Sequence, residues 1–194
     1  MGGELLKKMR VISGSLKGRS IKLLKNSNTR PPKNSVKENV FNILEHSNLI
    51  KAKIKNSHIL DLYSGVGSFG IEAISRGAAK VTFIEKDVNA FKFLSKNLSE
   101  LSIANKSEIF NYKVENFLMR TSFKKFNIFF LDPPFKNFDF LINLKIIKKN
   151  KIYKKNHVVV IHRENKTKDD YKDILRIIDK KNYGRSEIIF GVFN

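Results

Sequence analysis

The sequence predicts an α/β protein: a mostly parallel seven-stranded sheet with helices on both faces and a small N-terminal β-hairpin extension. Three observations carry this expectation. From His58 onward, apolar runs of strand length alternate with segments whose apolar residues recur at helical spacing. Between the first such run and the first such helix lies Gly65-Val66-Gly67-Ser68-Phe69-Gly70, a G-x-G-x-x-G turn, and an acid, Glu85, closes the strand that follows. A later apolar run, Asn127-Ile128-Phe129-Phe130-Leu131, stops at Asp132-Pro133-Pro134-Phe135, so a buried strand ends by presenting a carboxylate and a ring at one rim of the sheet.

Taken in order, residues 1–8 have no pattern and precede a second methionine, Met9, so they read as a tag remnant or an alternative start. Residues 9–56 are expected to form a basic extension. Met9 to Leu23 reads as two short strands around a glycine-containing turn, and a polar loop then ends in Thr29-Arg30-Pro31-Pro32. Ser35 is placed to cap a helix, with Glu38 three residues on and Val36, Val40, Phe41 and Leu44 as its apolar stripe. Residues 57–194 form the main domain. Its first strand is Ile59 to Tyr63, the glycine turn opens a helix that runs to about Arg76, and Lys80 to Ile84 is the second strand. A helix over Val88–Leu98, a strand over about Glu108–Tyr112, the strand running into Asp132, a helix over Phe138–Lys148 and a strand over His157–His162 follow. Ile174–Ile178 and Ile188–Val192, separated by Tyr183-Gly184, read as a terminal hairpin that makes the last strand antiparallel.

A chain of 194 residues with 41% apolar content has room for one sizeable core. It contains no cysteine, which excludes a disulfide framework and a thiolate nucleophile and makes a reducing cytoplasm the natural compartment. His46, His58, His157 and His162 are scattered without metal-ligand spacing, read as structural or surface residues, and leave no metal site expected. No apolar run is long enough to span a bilayer, so no membrane role is expected. The formal net charge of +20 calls for an acidic partner, nucleic acid first, although a lysine-rich composition of this kind also arises from A/T-biased coding. About half of the surplus lies before Asn56, and Arg10, Lys17, Arg19 and Arg30 crowd around turns, where phosphate contacts are commonly presented.

The chemistry follows from what the strand ends bring together. Each proline fixes its own φ and lacks an N–H, so the loop after Leu131 is stiff and the carbonyls of Asp132 and Pro133 are left to accept bonds from a ligand. The Asp132 carboxylate and the Pro133 carbonyl could take the two N–H bonds of a flat amino group while Phe135 stacks on the ring that carries it, a grip for a nucleobase amine. Gly65 and Gly67 let a cofactor lie against bare backbone, and Glu85 is placed to accept from ribose hydroxyls. A nicotinamide dinucleotide and S-adenosylmethionine both suit that arrangement. Asp61 separates them, because an acid beside the glycine loop repels a pyrophosphate and suits the cationic sulfonium and amino groups of S-adenosylmethionine.

With Asp61-Leu62-Tyr63-Ser64-Gly65-Val66-Gly67 and Asp132-Pro133-Pro134-Phe135 in place, the chain resembles the amino-methyltransferases of the Rossmann-like class I fold. Arg10-Val11-Ile12-Ser13-Gly14, Lys17-Gly18-Arg19, Thr29-Arg30-Pro31, Phe41-Asn42-Ile43-Leu44 and Gly70-Ile71-Glu72-Ala73-Ile74-Ser75-Arg76-Gly77 narrow this: over nearly the whole chain from Met9 it resembles the RsmD-type bacterial ribosomal RNA methyltransferases. The resemblance implies methylation of a guanine N2 in small-subunit (16S) rRNA, with ribosomal RNA or a small-subunit assembly particle as partner; a monomer is expected, though the residues leave the oligomeric state open. It implies catalytic roles for Asp132, Pro133, Pro134 and Phe135. Cofactor contacts are implied for Asp61, Tyr63, Ser64, Gly65, Gly67, Glu85, Lys86 and Glu115, and RNA contacts for Arg10, Lys17, Arg19 and Arg30. Ser13, Pro32 and Lys37 depart from the family pattern, all on the side expected to face RNA. The residues themselves leave open the same chemistry on adenine N6 or cytosine N4, a non-catalytic nucleic-acid-binding module and, more distantly, a dehydrogenase.

Overall fold

The computed structural model describes residues 8–24, 34–120, 124–134 and 137–194. Arg30, Phe135 and residues 1–7 therefore lie outside the described residues. The chain begins with an antiparallel pair, β1 (Lys8–Arg10) and β2 (Ser20–Lys22), followed by helix α1 (Asn34–His46). Then come β3 (His58–Leu62), α2 (Ser68–Ser75), β4 (Lys80–Ile84), α3 (Val88–Glu100), a short 3₁₀ turn, β5 (Ser107–Phe110) and α4 (Val114–Leu118). β6 (Phe126–Leu131), α5 (Phe140–Asn150), β7 (Tyr153–Glu164), β8 (Leu175–Tyr183) and β9 (Ser186–Phe193) complete it.

The seven strands of the main sheet run in the order β5-β4-β3-β6-β7-β9-β8, parallel except for β9, which is antiparallel to both its neighbours. The expected sheet and terminal hairpin are therefore present. β3 is followed by β4 on one side and adjoined by β6 on the other, so the strand order reverses between β3 and β6, where open α/β sheets form their ligand crevice. The central strands are apolar on both faces because both are covered. One face packs Ile59, Val81, Ile128, Phe130 and Val158 under α1, α2, α3 and the N-terminal hairpin; the other packs Leu60, Leu62, Phe129, Leu131 and Val159 under α4 and α5.

Element boundaries differ from the sequence reading where local signals are silent. β7 begins at Tyr153 rather than His157, because its first residues, Lys154, Lys155 and Asn156, are polar and carry no apolar alternation. β5 stops at Phe110, opposite Ile84, where its partner β4 also stops. Ser35 lies inside the first turn of α1 rather than ahead of it. α4 has five residues, too few for a helical period to register.

The N-terminal hairpin is fastened by buried side chains. The carboxylate of Glu72, on α2 and wholly buried, accepts from the amides of Ile12 at 2.8 Å and Ser13 at 2.9 Å, and pairs with Arg76 at 2.9 Å and with the Lys37 ammonium at 3.6 Å. Asn97 of α3 bonds Lys22 in both directions and donates to the carbonyl of Val66 in the glycine turn. Burial dominates at Lys37 and pulls its ammonium below the ordinary lysine value, against the neighbouring Glu72 carboxylate, which raises it. Among the described residues no helix is long and apolar enough to cross a membrane.

Candidate active site

Parallel register sets the site. Leu62 at the end of β3 stands beside Ile84 at the end of β4 and Leu131 at the end of β6, so the residues that follow each strand emerge at one rim. The amide of Asp132 lies 3.5 Å from the Leu62 carbonyl, which brings the Asp-Pro-Pro turn against the start of the glycine turn. A crevice of about 1120 Å³ opens there. Asp61, Tyr63, Ser64, Gly65, Glu85, Lys86, Glu115, Asp132 and Pro134 all line it, so every residue expected at the cofactor except Gly67 shares one cavity with the acid of the Asp-Pro-Pro turn.

Each glycine of the turn has its own reason. Gly67 sits at φ 88° at the head of α2, and a Cβ there would stand 2.5 Å from Leu94 Cδ1. A Cβ on Gly70 would meet the Phe83 ring at 2.2 Å, so this glycine lets α2 lie close on β4. Gly65 sits at φ 55° with open space around it, leaving bare backbone facing the crevice. Gly67 itself shapes the turn and is not among the residues that line the crevice.

The acids divide their work. Asp61 is almost fully buried; Oδ2 accepts from the Gly70 amide at 3.0 Å, and Oδ1 has no hydrogen-bond partner among the described residues. Burial pushes its carboxyl well above the usual aspartate range, with nearby Asp132 and Glu85 adding to the rise and the Gly70 amide opposing it. A buried carboxylate oxygen without a partner, in the wall of a crevice, fits a cationic ligand group. Glu85 accepts from the amides of Gly65 and Asp87, each at 2.7 Å, which pins its side chain across the mouth of the glycine turn. Its carboxyl is also raised by burial, and each oxygen keeps a second lone pair for a hydroxyl donor.

Tyr63 takes a left-handed backbone at φ 63°, and its hydroxyl accepts from Asn143 of α5 at 2.9 Å; burial raises its phenol to about 12. Ser64 is bonded through its amide to Ile84 at 3.0 Å, tying the turn to β4. Lys86 is exposed at the rim, and Glu115 lies half-buried in the first turn of α4.

On the far side of the crevice the Asp132 carboxylate is partly exposed and Pro134 is anchored. The Pro134 carbonyl accepts from the Asn137 amide at 2.8 Å and from Arg163 at 3.2 Å, whereas no described residue donates to the carbonyl of Pro133. The wall here is apolar, with Phe69 stacked on Phe130 at 3.8 Å and Val36, Val40 and Ile188 beside them. Sequence reasoning missed His162 and Arg163. His162, read as structural, has Nδ1 2.8 Å from Asp132 Oδ1, and Arg163 is wholly buried against Asp169. The only signal available was their place at the end of an apolar strand next to the Asp132 strand.

Of the cations expected to meet RNA, Arg10, Lys17 and Arg19 are exposed on or between β1 and β2. Arg19 also donates to the Glu100 carbonyl at 3.0 Å and so helps hold the hairpin on α3.

The profile of the family described as Conserved hypothetical protein 95 matches residues 9–192. The protein named Ribosomal RNA small subunit methyltransferase D from Buchnera aphidicola subsp. Acyrthosiphon pisum is 38% identical over 159 residues, 82% of this chain and 80% of that protein. The Bacillus subtilis protein named Putative rRNA methyltransferase YlbH is 37% identical over 130 residues, covering 66% of this chain and 67% of its own length. Among solved structures, the Escherichia coli putative methyltransferase yhhF superimposes with a TM-score of 0.80 at 26% identity, covering 97% of this chain and 99% of that one.

Proposed function

Because the chain belongs to the family described as Conserved hypothetical protein 95, that of ribosomal RNA small subunit methyltransferase D, we propose that it transfers a methyl group from S-adenosylmethionine to the exocyclic N2 of a guanine in 16S rRNA. One observation carries the reading: Asp61, a buried carboxylate with one oxygen unpaired among the described residues, and Asp132, a partly exposed one, line the same crevice at the rim where β3 and β6 pair.

The residues present fit the donor. Asp61 Oδ1 would take the amino group of its methionine part, the bare backbone at Gly65 would receive its body, and Glu85, with Lys86 beside it, would hold the ribose. Tyr63 and Ser64 line the crevice between these, and Glu115 in the same lining would accept from an adenine amine. When bound, S-adenosylmethionine supplies a methyl group activated by a sulfonium.

The rest is done by the chain. An exocyclic base amine is a poor nucleophile because its lone pair is delocalised into the ring. Asp132 and the Pro133 carbonyl accept its two N–H bonds, which turns the lone pair toward the donor side, and Asp132 takes the proton the nitrogen loses on methylation. Holding both reactants in one crevice is worth on the order of 7–11 kcal/mol, the largest contribution in this scheme. Guanine N2 cannot be reached from within a stacked duplex, so the base is turned out of its stack, with Phe135 proposed to replace the lost stacking. The apolar wall of Phe69, Phe130 and Ile188 then receives its ring.

Arg10, Lys17, Arg19 and Arg30 are proposed to hold RNA phosphates, and a monomer in the cytoplasm suffices for this reaction. The test is mass spectrometry of rRNA from cells with and without the protein. One N2-methylguanosine in 16S rRNA should be missing without it and return when the purified enzyme is added to rRNA or to small-subunit particles. An unchanged set of methylated guanosines refutes the assignment.

A further inference from the structure

Asp132 is held from behind. β7 lies next to β6 in parallel, with Ile161 opposite Leu131, so His162 in β7 and Asp132, just past the end of β6, meet at the rim. His162 is 4% exposed. Its Nδ1 lies 2.8 Å from Asp132 Oδ1, and its Nε2 lies 2.8 Å from the hydroxyl of Ser186 on β9. With the carboxylate as acceptor, Nδ1 carries the proton between them and Nε2 accepts from the Ser186 hydroxyl. Asp132 Oδ2 has no partner among the described residues. The next residue along β7, Arg163, donates to the Pro134 carbonyl, so two consecutive residues brace the two ends of the Asp-Pro-Pro turn.

We propose that His162 is a positioning residue for methyl transfer: its Nδ1–H ties down Asp132 Oδ1, Ser186 fixes the imidazole, and Oδ2 alone is left to meet the substrate amine beside the Pro133 carbonyl. This rests on the amine-methylation reading above and extends it to the strand behind the site. A carboxylate on a free rotor presents either oxygen at any angle, whereas a tethered one is already aimed before the substrate arrives. The arrangement is an orienting device in which the imidazole stays a donor and the aspartate does the accepting.

The test uses the full chain and two substitutions. His162→Ala should lower kcat for methyl transfer to rRNA by about ten- to a hundredfold, in keeping with a small misplacement of one reacting group, with KM for S-adenosylmethionine unchanged. His162→Asn, whose amide nitrogen can stand where Nδ1 stood and donate, should recover most of that loss. A His162→Ala enzyme within twofold of the parent, or a loss that asparagine does not recover, overturns the proposal. Imidazole ¹⁵N spectra supply a second reading that needs no turnover: the resonances absent from His162→Asn should show a protonated Nδ1, and a bare Nδ1 overturns the proposal. If the parent transfers no methyl group to rRNA, the amine-methylation reading falls, and the spectrum still decides where the His162 proton lies.

Discussion

Burial of the Asp61 carboxyl opposes folding at neutral pH. Its carboxyl is raised well above the aspartate range chiefly by burial, so the folded state keeps this proton at pH values where the unfolded chain has released it. The unfolded chain thus binds fewer protons in that window, and folding stability falls as pH rises from the ordinary aspartate range through the raised value. Asp61→Asn keeps an acceptor for the Gly70 amide and removes the buried charge. Its melting temperature at neutral pH should equal or exceed that of the parent, and this acid-to-neutral decline should flatten. Its affinity for S-adenosylmethionine should fall by at least about tenfold, the worth of one charge-assisted hydrogen bond of about 1.5–3 kcal/mol. Calorimetric titration reads the affinity; an unchanged value would remove Asp61 from the cofactor site. At this scale the sequence was legible in the placement of acids at strand ends, since Asp61, Glu85 and Asp132 do line one crevice. It was not legible at His162, because the contact with Asp132 joins strands separated by α5 and depends on a register no local pattern encodes.

At the scale of elements, α2 does two jobs. Its N-terminal end receives the glycine turn, and its buried Glu72 and Ser75 hold the N-terminal hairpin through the backbone of Ile12, Ser13 and Leu16. Removing the Glu72 carboxylate leaves the Lys37 ammonium buried without its acid, deprives Arg76 of one of two, and orphans two amides. Glu72→Ala should therefore cost about 3–5 kcal/mol, the usual penalty for breaking a buried ion pair from one side, and lower the melting temperature by on the order of ten degrees. A destabilisation below about 1 kcal/mol in denaturant titration would show that the hairpin is held chiefly by its other contacts, the packing of Val11 and Ile21 and the bonds to Ser75 and Asn97. The alternation of strands and helices was readable because apolar periodicity and the glycine turn are local signals. The start of β7 and the whole of α4 were not, since Lys154 to Asn156 and a five-residue helix offer no periodicity to read. The clasp between α2 and the hairpin was equally silent: the motif that contains Glu72 gives no sign of the two amides and two cations the fold puts around that acid.

Over the whole molecule, the charge of +20 predicts association with a polyanion but not which cations touch it. Arg10 and Lys17 are exposed on the hairpin, whereas Arg19 is partly engaged with α3, so the clean comparison changes the first two and spares the third. Replacing Arg10 and Lys17 with alanine should weaken rRNA binding uniformly and reduce the salt slope by roughly 0.7–0.9 for each phosphate that is no longer neutralised. Filter binding across a salt series measures this, and an unaltered slope would take the hairpin out of the interface. The fastening of that hairpin to α2, and through Asn97 to the glycine turn, places the basic surface and the crevice in one structure rather than on separate lobes.

The proposed function requires one crevice to receive a methyl donor on the β3–β4 side and a base amine on the β6 side. It is tested most directly by incubating rRNA with methyl-labelled S-adenosylmethionine and either the parent enzyme or Asp132→Asn, then digesting to nucleosides and locating the label. The parent should place it in N2-methylguanosine, and Asp132→Asn should bind the cofactor as well as the parent does and transfer more slowly by about two to four orders of magnitude. Label in a different nucleoside, or transfer by Asp132→Asn at the parental rate, would contradict it.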